Sequence, residues 1–225
     1  MLDRSDKGKP PNKEDKVAQA VGTKGMLIGQ EAVAVRLDRR LMDRLISWTG
    51  AIMALALIAL GSAAIYGGSF ALDNVRDRLA PQNIAFPPAE AMSDYDKEIG
   101  LTAFAGQKVD TGTKAEAFSR YIGGHLAATN DGKTYSETSS ESRAYAAEVG
   151  DNPTAAESAK MGELSGKVET LFRGETLRAI LLNAYGWWVV GSITLYVGYG
   201  AVAVGILLAL FAFFGFRHAK KIEQS

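Results

Sequence analysis

Between Arg178 and Arg217 the chain runs through 38 residues, Ala179 to Phe216, without a charged side chain. As one α-helix this run would be about 57 Å long, against a hydrocarbon core of about 30 Å. It therefore predicts a membrane span with a stem standing outside it. Trp187 and Trp188 mark the cut, because indole rings favour the headgroup level, with the N–H toward water and the ring among the acyl chains. The span is then 186–216. A stem helix covers 174–185, where Leu177, Ile180, Leu181 and Ala184 recur at helical spacing. The paired indoles read as a membrane anchor rather than a cofactor box.

A second uncharged run, Ile46 to Tyr66, is 21 residues long, with Trp48 near one end and Tyr66 at the other. It predicts the first span, 46–66. Gly50 and Ala54 here, with Ala56, Ala59 and Ala63 beyond them, and Ala201, Gly205 and Ala209 in the other span, are small residues at spacings that let two helices approach closely. In a chain so rich in Ala and Gly such spacing also arises by chance.

The flanks set an orientation. Arg36, Arg39, Arg40, Arg44, Arg217, Lys220 and Lys221 lie within fifteen residues of the span ends on one side, against Arg76, Arg78, Arg173 and Arg178 on the other. The basic side is the cytoplasmic one, so both termini are expected in the cytoplasm of a multi-pass protein of the plasma (inner) membrane. Residues 32–45 also form a moderately amphipathic juxtamembrane helix, with four arginines able to attract anionic membrane lipid at roughly 1 kcal/mol each. A plain topology flank accounts for the same arginines.

Net charge is zero, 25 basic against 25 acidic residues, which gives no whole-chain case for nucleic-acid binding. There is no cysteine, so disulfides, thiolate catalysis and thiolate metal sites are unavailable. Residues 1–31 mix both charges with Pro and Gly and predict a disordered cytoplasmic tail; residues 217–225 form a second, short one. The apolar core of the first span starts too far in for a cleavable secretory signal.

The segment 73–173 is then an extracytoplasmic domain large enough for one small core. Pro81, Pro87 and Pro88 predict an extended entry. Three helix starts follow, each a Thr with Glu three residues on: Thr113 with Glu116, Thr138 with Glu141, and Thr154 with Glu157. The first helix carries Phe118, Tyr121, Ile122 and Leu126 on one face and ends at Asn130-Asp131-Gly132. The second is short and polar around Tyr145. The third carries Leu164, Val168, Leu171 and Phe172 on a stripe interrupted by Gly162 and Gly166. The expected fold class is thus a mainly α membrane protein, two transmembrane helices with a small helical extracytoplasmic domain between them.

Catalytic patterns are scarce. The two histidines, His125 and His218, fall on opposite sides of the membrane in this topology, and the nearest acidic residues to His125 in sequence, Glu116 and Asp131, are off helical register with it. His125 reads as a hydrogen-bonded helix residue rather than a ligand or general base. Ser136, Ser139, Ser140 and Ser142 lack a nucleophile elbow, no Walker or dinucleotide pattern occurs, and neither span holds an ionisable group for proton or ion coupling. No metal or cofactor is expected.

LFRGETLRAILLNAYGWWVVGS, with AGQKVDTGTKAEAFSRYIGGHLAA, DGKTYSE and IAFPP, resembles a group of uncharacterised actinobacterial two-span membrane proteins over about residues 36–216. Its most specific part is GETLR to NAYGWW. Members are sometimes labelled aromatic ring-opening dioxygenases, a chemistry that takes iron held by His and carboxylates. With His125 as the one extracytoplasmic His, the resemblance implies the architecture and carries over no functional residue.

The reading that follows is a non-enzymatic membrane accessory or scaffold protein. Its partners are membrane lipid and either a protein partner, in a membrane complex or the envelope, or further copies of itself. The alternative is a sensor or signal relay working through Arg36–Arg44 and the tail. A carboxylate-dependent envelope enzyme using Glu116, Glu137 or Glu141 ranks last.

Overall fold

A computed structural model describes the backbone of residues 13–223 and the side chains of residues 24, 41–218 and 220. Five α-helices follow one another: α1 (Lys13–Leu79), α2 (Asp94–Glu98), α3 (Gly112–Thr129), α4 (Tyr135–Val149) and α5 (Ala155–Glu223). Short 3-10 turns occupy Ala80–Gln82, Ala89–Ala91 and Leu101–Phe104. Among the described residues there is no strand, only an isolated antiparallel bridge between Ala85 and Lys108.

Two stretches, Leu41–Gln82 and Ala155–His218, are long and apolar enough to cross a membrane, and in the most apolar part of each only 11% and 17% is buried. A core helix of a water-soluble protein hides its apolar side chains. These two turn theirs outward.

The chain divides into two compact units, Met1–Ala59 with Val202–Ser225, and Leu60–Ala201. In the first, Trp48 meets Phe216 edge to face at 5.7 Å, Gly50 faces Ala212, and Gly205 lies against Ala54 and Ile58. In the second, Gly198 lies against Gly61 and Ile65, and Gly191 against Gly68 and Ala71.

The core of the second unit gathers Val75 and Leu79 of α1, Phe86, Met92, Leu101 and Val109 from the connecting loops, Ala115 and Ala117 of α3, and Leu181 of α5. Phe118, Tyr121, Ile122 and Trp188 pack around it. Phe86 is the hub, stacked on Phe104 at 5.4 Å and edge-on to Phe118 at 5.1 Å. The loop-and-helix segment has too few large apolar groups to close a core alone, so the long helices supply part of it.

Several expectations change in detail. The tail expected to be disordered through residue 31 enters α1 at Lys13: Lys, Glu, Gln and Ala there are good helix formers, and charge alone does not break a helix. Residues 1–12 lie outside the described ones. The third helix, the stem and the second span are one element, α5, which Gly162, Gly166 and Gly174 do not interrupt.

Of the three expected caps, Thr154 with Glu157 is present, with Thr154 N–H and Oγ1 both donating to Glu157 Oε2 at 2.7 Å. The other two are displaced upstream. α3 is capped by Thr111, whose hydroxyl accepts from Lys114 N–H, and α4 by Thr134 in a capping box with Glu137. Thr138 is instead buried inside α4, accepting from Asn130 Nδ2 and donating to the Thr134 carbonyl. The proline-rich entry is extended from Ile84 to Pro88, where Ala85 bridges to Lys108 and Pro88 takes φ −64° and ψ 156°, and it coils into 3-10 turns on either side and then into α2. Ser93 and Asp96 make the capping box of α2.

Candidate functional site

The expected anchors separate. Trp48, Tyr66 and Trp187 are exposed, the state an interfacial ring requires. Trp188 is half-buried in the core and packs directly onto Gly112, with the Arg76 guanidinium 5.9 Å above its ring.

Among the basic flank, Arg44, Arg217 and Lys220 are exposed, and the Arg217 guanidinium lies 5.9 Å from the Phe213 ring. Arg36, Arg39 and Arg40 fall within α1; their side chains, like that of Lys221, lie outside the described ones.

Of the expected packing residues, Ala54 and Gly205 are buried, whereas Gly50, Ala201 and Ala209 are half-buried. Equally close backbone contacts involve residues the spacing argument missed: a side chain at Gly68 would meet the Gly191 carbonyl and the Leu195 N–H at 2.7 Å, and one at Gly198 the Gly61 carbonyl at 2.8 Å. A signal for them was there. Gly191, Gly198, Gly205 and Ala212, and likewise Ser47, Ala54, Gly61, Gly68 and Val75, recur every seventh residue, and all are buried.

In the second unit one cluster of ionisable groups forms around Asp96, which is fully buried. Ser93 N–H and Oγ donate to its Oδ2 at 3.0 and 2.7 Å, and His125 Nε2 stands 3.7 Å from the same oxygen. Oδ1 is buried without a hydrogen-bond partner. The Tyr121 ring lies 4.3 Å from that of His125, and burial first, then the Asp96 charge, raises the Tyr121 hydroxyl above its ordinary value of 10.0. His125 thus meets a carboxylate 29 residues away, which helical register could not disclose. Among the described residues no three His, Cys, Asp or Glu gather as a metal site.

A cleft of about 280 Å³ opens between the last turn of α3 and α5. Leu126 and Leu171, both buried, form its floor, and the absence of a side chain at Gly174 admits the Leu126 methyls. Glu163 and Lys167, paired at 3.1 Å, stand on the α5 side with Gly166 and Thr170; Thr129 and Asn130 line the α3 side. α3 ends here because Asp131 and Gly132 take positive φ and Gly132 N–H closes back on the Ala127 carbonyl at 2.8 Å.

Further along α5, the Arg178 guanidinium donates to the Ser119 carbonyl of α3 at 3.2 Å and to Glu175 at 2.8 Å. Phe172, Leu177 and Ile180 nevertheless stay 53%, 53% and 59% exposed. Comparison with family models, with curated proteins and with solved structures gives no match.

Proposed function

We propose that the protein is a non-enzymatic accessory or scaffold protein of the plasma membrane, both termini cytoplasmic, whose extracytoplasmic helical segment 73–173 and adjoining stem bind a partner in a membrane complex or the envelope. The observation that supports this reading is the exposure of Phe172, Leu177 and Ile180 on α5. They alternate with Arg173, Glu175 and Arg178, whose charges keep this stretch in water, so the apolar side chains have no lipid to face. Apolar groups clustered in that setting mark protein contact.

In-cell photo-crosslinking from probes at positions 172, 177 and 180, followed by mild solubilisation and mass spectrometry, tests it. One dominant heterologous partner is expected. A chain that crosslinks to nothing and runs alone in mild detergent overturns the reading.

A second reading, a sensor that relays an outer event to the cytoplasmic tail, is favoured by the cleft between α3 and α5. Deleting residues 1–30 abolishes a relay and leaves a scaffold intact.

A further inference from the structure

We propose that the cleft between α3 and α5 binds a small zwitterion bearing an apolar side group, an α-amino acid of about the size of leucine. Its volume of about 280 Å³ lies just below the usual range of ligand pockets, which suits such a molecule. Leu126 and Leu171 offer the apolar floor.

The polar wall is rich in acceptors. Thr129 has committed its hydroxyl hydrogen to the His125 carbonyl at 2.8 Å and Thr170 its own to the Gly166 carbonyl at 2.9 Å, so both can only accept from a ligand. Asn130 has spent its amide hydrogens on the Lys133 carbonyl and on Thr138, leaving Oδ1. With the Glu163 carboxylate and the negative end of the α3 dipole at the same place, these groups favour an ammonium. Lys167, ion-paired with Glu163 at 3.1 Å, supplies the single cationic donor on the cleft, and its three N–H groups leave capacity for a ligand carboxylate.

The proposal deepens the sensor reading and depends on it for physiological meaning, but binding is measured without any relay. The purified full chain in detergent micelles is titrated calorimetrically with L-leucine, N-acetyl-L-leucine and L-leucinamide. Leucine is expected to bind, and the two analogues, each lacking one charge, at least about tenfold more weakly, as loss of a charge-assisted hydrogen bond dictates.

Gly166→Leu is expected to abolish binding while keeping the far-UV spectrum, because nothing lies within 4 Å of a side chain started there. Lys167→Gln is expected to remove the preference for leucine over leucinamide. Absence of leucine binding, equal binding of N-acetyl-leucine, or undiminished binding by Gly166→Leu overturns the proposal. Leucine binding with no cellular response that depends on residues 1–30 would overturn the sensor reading alone.

Discussion

Trp188 packs so closely onto the backbone of Gly112 that no side chain fits between them. Gly112 is the first residue of α3, so this contact fixes where that helix begins against α5.

Gly112→Ala therefore drives a methyl into Trp188 and toward the Ala184 carbonyl, 3.2 Å from its Cβ, and is expected to cost about 1–3 kcal/mol as an overpacking change. Gly162→Ala is its control. That site is helical and has nothing within 4 Å of an added Cβ, so the substitution should gain up to about 1 kcal/mol. Thermal melts of the two variants in one detergent, followed by tryptophan fluorescence, should move in opposite directions.

The glycine seam gives a similarly paired expectation. Gly68→Val meets the Gly191 carbonyl and Leu195 backbone, whereas Gly67→Val points into open space. Both carry the same β-branch in the same helix. Only the first should lower the melting temperature of the full chain, by an amount corresponding to about 1–3 kcal/mol; equal effects would show that helix propensity rather than packing governs the site.

Acid should loosen two helix starts. Glu137 and Glu157 accept from the backbone N–H and then the hydroxyl of Thr134 and Thr154, which holds both carboxyls below their ordinary value of 4.5. A depressed folded value means that the contribution is present above the unfolded value and is lost as pH falls through the folded one. The Thr134 and Thr154 amide resonances of labelled protein should titrate with midpoints below 4.5. Glu137→Gln and Glu157→Gln, which keep an acceptor but cannot ionise, should flatten the respective curves.

These caps also show what local sequence can disclose. Thr134-Glu137 and Thr138-Glu141 are consecutive boxes, equal on spacing; the positive-φ turn at Asp131 and Gly132 delivers the chain straight into a helix, so the earlier box is used. Thr111 prevails over Thr113 because Gly112 must lie under Trp188, a tertiary contact that spacing cannot reveal.

The two apolar stretches were legible because a run of uncharged residues longer than a bilayer leaves few alternatives. The cleft was not: Leu126 and Leu171 each read as ordinary stripe residues until α3 and α5 are set side by side. Asp96 lies on α2 and His125 on α3, so they meet only when those two helices pack, and nothing in helical register pairs them.

With Gly61 against Gly198 and Gly68 against Gly191, the paired backbones approach directly, and Ile65 and Leu72 seat on the surfaces that Gly198 and Gly191 leave open. Other bulky groups nearby, such as Tyr66, Tyr196 and Val197, are left to the outside. Grip and solvation thus draw on disjoint sets of positions. The outer set can be rewritten to suit a bilayer of different thickness or lipid content while the inner set, and the pairing it maintains, stays unchanged.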